Sequence, residues 1–107
     1  MGVEDLIQAI SVGNVAITRH ADQERGEDGL SFDEVYFSTV HGEIIEEYPT
    51  DSPYPSCLVY GDTFRGDPVH SVWAYNETNG AAMLITVYRP DPERWVDYRQ
   101  RRRRGKT

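Results

Sequence analysis

The chain has 107 residues, enough for one domain whose core buries roughly 65% of the unfolded chain's surface, and its 38% hydrophobic and 27% charged residues match an ordinary globular protein. No apolar run approaches the ~20 residues that span a bilayer, the N-terminus lacks the basic-then-apolar pattern of a leader, and the single cysteine, Cys57, rules out an internal disulfide and argues against a cysteine-based metal site; a cytoplasmic location is the expectation. All 18 acidic residues lie at or before Asp97, where only five arginines accompany them, so this body carries about −13, while Arg99, Arg101, Arg102, Arg103, Arg104 and Lys106 give the tail about +6; such a body repels polyphosphate over a Debye length of ~8–10 Å and disfavours generic nucleic-acid binding, though not a local cationic pocket.

Val3, Leu6, Ile7 and Ile10 recur at helical spacing and predict an amphipathic helix over residues 3–12, with Gly13 where it stops. Val15 to Thr18 is a brief β-branched run. The polar stretch from His20 to Glu27 is helix-compatible and closes at Gly26 and Gly29. Ser31-Phe32-Asp33-Glu34 matches a capping box: the serine hydroxyl bonds the backbone N–H three residues on, and Glu34 reaches back. A helix from Phe32 to about Val40 follows, with Gly42 as its C′ residue.

Strands then dominate. They are expected at Glu43 to Tyr48, Ser56 to Tyr60, Val69 to Tyr75 and Ala82 to Tyr88, separated by a Pro/Asp/Ser-rich loop, a turn around Arg65 and an Asn79-Gly80 hairpin signal. Pro90 and Pro92 bracket Asp91 and open a short helix around Glu93 to Arg99. Helices followed by a meander predict an α+β domain over residues 1–98. Its N-terminal helices pack on one face of a roughly four-stranded antiparallel sheet, with a short C-terminal helix and a basic, disordered tail over residues 99–107. Of the fourth strand, Met83, Ile85 and Val87 form the more apolar face and should meet the helices, leaving Thr86 and Tyr88 on the other side.

The junction Ile17-Thr18-Arg19-His20-Ala21-Asp22-Gln23-Glu24-Arg25 is the first chemical candidate. Histidine titrates near neutral pH, and arginine grips phosphate with a planar fork. His20 and Glu24 stand at i, i+4 and can share a helix face, whereas Arg25 lies about 140° round from His20. His20 and Arg25 can converge on a phosphate only if His20 sits in the entry turn; otherwise Arg25 pairs with Glu24, Glu27 or Asp28 on the surface. His70 shares its strand face with Val72 and Ala74, and is either a satisfied, partly buried histidine or, if register allows, a neighbour of Thr86 and Tyr88. Glu43, Glu46 and Glu47 are read as edge-strand solubility residues. No histidine spacing, glycine loop or nucleophile elbow matches a metal, phosphate-cradle or hydrolase motif, so no metal and no cofactor are expected.

The order of Ile17-Thr18-Arg19-His20-Ala21 with Arg25, Gly42-Glu43-Ile44-Ile45-Glu46 with Tyr48-Pro49, Pro68-Val69-His70-Ser71-Val72, and Ile85-Thr86-Val87-Tyr88 with Pro90 and Trp95 resembles the DUF4258 family over roughly residues 5–96. That resemblance implies a compact α+β domain related to RelE-like toxins, a metal-independent endoribonuclease of a toxin–antitoxin module, and a YgiT-type zinc-finger antitoxin as partner. It implies His20, Arg25 and His70 as catalytic residues and Tyr88 and Arg89 as substrate-binding residues. His20 would act as base or acid, Arg25 would stabilise the phosphorane, and Tyr88 would stack on a base. The acidic body departs from the basic character of such toxins. It keeps open the alternative of a non-enzymatic protein-interaction domain with an acidic body and a basic tail.

Overall fold

The computed structural model describes residues 1–103. Three helices and seven strands follow in the order α1 (Val3–Ser11), β1 (Val15–Ile17), α2 (Arg19–Glu27), α3 (Phe32–Val40), β2 (Glu43–Tyr48), β3 (Ser56–Asp62), β4 (Pro68–Asn76), β5 (Ala81–Tyr88), β6 (Trp95–Val96) and β7 (Gln100–Arg101). The class is α+β, as expected. The main sheet has five strands rather than four, in the order β1-β5-β4-β3-β2, and it is mixed: β1 runs parallel to β5, pairing Val15, Ala16 and Ile17 with Ala82, Met83 and Leu84. No helix among the described residues is long and apolar enough to cross a membrane.

Local signals explain the helices. Leu6 and Ala9 are the buried positions of α1, and Ser31 and Glu34 close the capping box of α3 with reciprocal bonds of 3.0 and 2.9 Å. α1 and α3 cover one face of the sheet. The core there joins Leu6, Leu30 and Val35 to Cys57, Val59, Val69, Trp73, Leu84 and Val87. The indole N–H of Trp73 is satisfied within it, donating to Ser71 Oγ at 3.0 Å. The end of α3 lies directly on β3. A Cβ on Gly61 would run into the Ser38 carbonyl, and one on Gly42 would stand 2.5 Å from the same oxygen, so only glycine permits this approach.

Two expectations fail for tertiary reasons. The apolar face of β5 is not Met83, Ile85 and Val87 but Ala82, Leu84 and Val87. The register slips between Val72 and Trp73, which pair with Thr86 and Leu84, so Ile85 is an extra residue that shifts the alternation in mid-strand. The expected C-terminal helix is absent. Residues 95–101 instead form a β6–β7 hairpin, with Asp97 (φ 51°) and Tyr98 (φ 58°) in the left-handed region. A helix requires negative φ at every residue. The boundary expected at residue 98 falls inside this hairpin, and the tail beyond Arg103 lies outside the described residues.

Candidate functional site

β1 covers only the first half of the β5 edge, and α2 takes over from there. Thr18, the N-cap of α2, accepts from Ala21 N–H and donates its hydroxyl to the Ile85 carbonyl, both at 3.0 Å. Further along, Glu24 accepts from the Thr86 hydroxyl and from Val87 N–H (3.2 Å), and Asp28 accepts from Arg89 N–H (2.9 Å). Side chains of a polar helix thus occupy backbone groups that another strand would otherwise pair.

This docking builds a histidine–carboxylate pair. His20 Nε2 lies 3.2 Å from the same Glu24 oxygen that Thr86 and Val87 hold, while the imidazole is 69% exposed. The contact is an ion pair when the imidazole is protonated, without the geometry of a hydrogen bond. Thr86 and Tyr88 share one face of β5, two residues apart. Arg25 does not join them. Its guanidinium pairs with Asp22 at 2.6 Å, donates to the Leu30 carbonyl at 2.8 Å and stacks 4.0 Å over the Phe32 ring. Of these partners Asp22 lies in the first turn of α2, Leu30 in the α2–α3 connection and Phe32 at the start of α3.

His70 pairs directly across with Tyr88, so register does bring these two together. It does so beneath the surface, because His70 is fully buried. Its Nε2 lies 2.6 Å from the Tyr98 carbonyl, which can only accept, so Nε2 carries the hydrogen; Nδ1, 3.2 Å from the Tyr88 hydroxyl, then accepts from it. The Trp95 indole meets the imidazole edge-on at 4.4 Å. Burial lowers the His70 pKa, against the opposing pull of the Tyr98 carbonyl and Glu46. Burial likewise raises the Tyr88 phenol; Arg101 opposes this, and Glu46 and Glu24 add to it. Glu24 itself is anchored on Thr86 and Val87, two residues and one residue before Tyr88 on β5.

Outside Tyr88 opens a cleft of about 960 Å³. Five arginines line it: Arg89 at the end of β5, Arg94 before β6, Arg101 in β7, and Arg102 and Arg103 after it. Tyr88 and Trp95 supply its aromatic wall, and among the described residues Asp91 and Glu93 are its only carboxylates. The hairpin is fixed over the sheet by Arg99–Glu43 and Arg101–Glu46 ion pairs, the second at 2.9 Å, with the Arg101 guanidinium 4.7 Å over Trp95. Glu46 would be raised by burial, but bonds from Arg101 and Tyr48 outweigh this and hold it below the ordinary value. Residues read from sequence as edge-strand solubility therefore include two anchors for the hairpin. Tyr88 and Arg89, the substrate-binding residues that the family resemblance implies, are among the lining residues. Arg94, Trp95, Arg101, Arg102 and Arg103 were not anticipated, and the available signal was the clustering of Arg94-Trp95 with the arginine run six residues on. Among the described residues, no group of three or more His, Cys, Asp or Glu side chains is placed to hold a metal ion.

No curated protein and no solved structure matches the chain significantly. The family model described as a domain of unknown function, DUF4258, matches residues 17–89, narrower than the expected 5–96. The matched span starts at the end of β1 and runs through α2 and His70 to Tyr88 and Arg89. It leaves out the β6–β7 hairpin with its arginines. On a match covering well over half of its length, the chain belongs to the DUF4258 family.

Proposed function

We propose that this domain is a RelE-like, metal-independent endoribonuclease that acts as the toxin of a toxin–antitoxin pair, with a YgiT-type zinc-finger protein as its antitoxin. The observation that carries the reading is the exposed His20–Glu24 pair, anchored on Thr86 and Val87 next to Tyr88 and the arginine cleft. Cleavage of RNA needs a group to take the 2′-hydroxyl proton, a group to protonate the departing 5′-oxygen, and cations for the charge that develops on phosphorus. His20, oriented by Glu24, is the proton-transfer residue. Arg89, on the cleft wall beside Tyr88, replaces Arg25 as the cation for the phosphorane. His70, buried behind Tyr88, is a positioning residue that fixes the phenol. The 2′-oxygen attacks the adjacent phosphorus, the bond to the 5′-oxygen breaks, and the products are a 2′,3′-cyclic phosphate and a 5′-hydroxyl.

The test is incubation of the purified chain with RNA, with and without ribosomes and with EDTA present. The expected result is cyclic-phosphate ends, indifference to EDTA, and a loss of roughly 10²–10⁴-fold in His20→Gln, the usual size of a general acid–base contribution. No cleavage under any condition, with growth arrest on expression unchanged by His20→Gln, overturns the proposal. The net charge of about −13 before residue 98 favours a second reading, a non-enzymatic interaction domain. A stable partner complex that survives His20→Gln in a chain that cuts no RNA would establish it.

A further inference from the structure

We infer that the β6–β7 hairpin turns the cleft beside Tyr88 into a track for single-stranded RNA, rejecting duplex; the inference rests on the ribonuclease reading for the site's substrate class. The cleft holds five arginines against two carboxylates, in a chain whose remaining surface is strongly acidic. The arginines differ in how far they are committed. Arg101 is spent on Glu46 and Trp95. Arg89 bonds the Asp28 carbonyl at 2.8 Å and lies 3.6 Å from Asp67. Arg94 is 83% exposed and reaches only Asp91, at 4.0 Å. Arg102 donates Nε to the Pro92 carbonyl at 2.9 Å, and among the described residues neither Arg102 nor Arg103 forms an ion pair with a carboxylate. A backbone bond of 2.9 Å from Arg102 N–H to the Arg94 carbonyl brings these two residues together, and Arg103 follows in sequence. Three positive groups lining one cleft with a half-buried tyrosine suit the phosphates of a strand whose base lies against the ring.

Charge outside the cleft excludes the duplex. Double-stranded nucleic acid carries one negative charge per ~1.7 Å of axis and is stiff. Laid in this cleft, it would carry further phosphates over the acidic body within a Debye length. A single strand bends, places a few phosphates on Arg94, Arg102 and Arg103, and leaves. The selectivity thus comes from a local cationic rim in an acidic surround, and the rim belongs to the segment outside the family match.

The test uses the full chain carrying His20→Gln, so that the probe is not cut, and measures fluorescence anisotropy with a labelled single-stranded octaribonucleotide and a labelled RNA duplex of the same sequence. Three phosphate contacts predict a slope of log K against log salt near −2, from about −0.7 per contact on single strands. Arg94→Ala/Arg102→Ala/Arg103→Ala should bind at least tenfold more weakly with a flattened slope. Arg94→Ala/Arg103→Ala, which keeps the Arg102–Pro92 bond, should move the same way, and Arg65→Ala, outside the cleft, should match the parent. The inference is overturned if the arginine variants bind like the parent, if duplex binds as tightly as single strand, or if polyglutamate displaces the RNA at equal charge, which would make the cleft a seat for an acidic protein. Strand binding without cleavage by the His20 chain sinks the ribonuclease reading alone. Cleavage that ignores the arginine variants sinks the track alone.

Discussion

Trp95→Ala should release the β6–β7 hairpin while leaving the five-stranded sheet folded. β6 and β7 are two residues each and pair only with one another, so strand pairing does not tie them to the domain. Their attachments include the Trp95 ring, the His70–Tyr98 bond, the Tyr98 ring and Arg99 guanidinium against Tyr60, and two ion pairs at the surface. Exposed ion pairs add little, and Trp95, at 5% exposure, is the one large apolar side chain the hairpin buries. Truncating a buried tryptophan costs about 3–5 kcal/mol, and each ~1.4 kcal/mol is tenfold in an equilibrium. The open population of the hairpin should therefore rise by between about 100-fold and several thousand-fold. Hydrogen exchange reads this directly: the amides of Arg99 and Arg102, bonded to the Val96 and Arg94 carbonyls, should lose protection by that factor. The amides of Leu58 and Val72, paired in the middle of the sheet, should not. Equal loss at both places would show the hairpin to be one cooperative unit with the domain. No loss at Arg99 and Arg102 would show that Trp95 does not anchor it. Either result refutes the reasoning.

Gly61→Ala drives a methyl group into the Ser38 carbonyl, with backbone on both sides and no flexible side chain to yield; a cost of ~2–3 kcal/mol and a fall in melting temperature of roughly 10 °C are expected in calorimetry, and an unchanged Tm would contradict the close approach. Acid should weaken the hairpin attachment in two stages. His70 has a folded pKa below its ordinary 6.5, so the unfolded state takes the proton first and stability falls as pH drops below about 6.5, levelling off below the folded value. Glu46 is held below 4.5 when folded, so its contribution is present above 4.5 and fades as pH falls below it. Denaturant titrations from pH 8 to 3 should show both stages in the parent and lose the upper one in His70→Gln; an upper stage that persists would assign it elsewhere.

Local chemistry made α3 readable: Ser31, Glu34 and Gly42 mark its ends without help from the rest of the chain. The four long strands were legible for the same reason, being apolar runs bounded by turn residues. What escaped was decided at a distance. Val15–Ile17 is too short to announce a strand, and its partner lies more than 60 residues on. One extra residue, Ile85, inverted the expected face of β5, and no sequence pattern marks where a bulge falls. Glu93 to Arg99 has the composition of a helix, yet contacts of Trp95 and Tyr98 with His70 impose a hairpin. At the candidate site, the i, i+4 relation of His20 and Glu24 was visible, as was the ~140° offset that separates Arg25. The arginine cleft was not, because the chain folds back on itself to make it.

The docking of α2 on β5 also sets when the candidate site can exist. Only Ala21 of this helix is buried, so the segment has almost no apolar face with which to hold itself in place. A nine-residue polar helix is marginal in water, and the bonds from Thr18, Glu24 and Asp28 reach partners 61 to 67 positions further along. His20 leaves a ribosome more than 60 residues ahead of Ile85, Thr86 and Val87, yet its orientation waits for this last strand of the five-stranded sheet. A nascent or truncated chain that stops before residue 85 carries the histidine without the geometry. Contacts of such long sequence separation form late in folding, so chemistry that depends on His20 is withheld until the domain is all but complete.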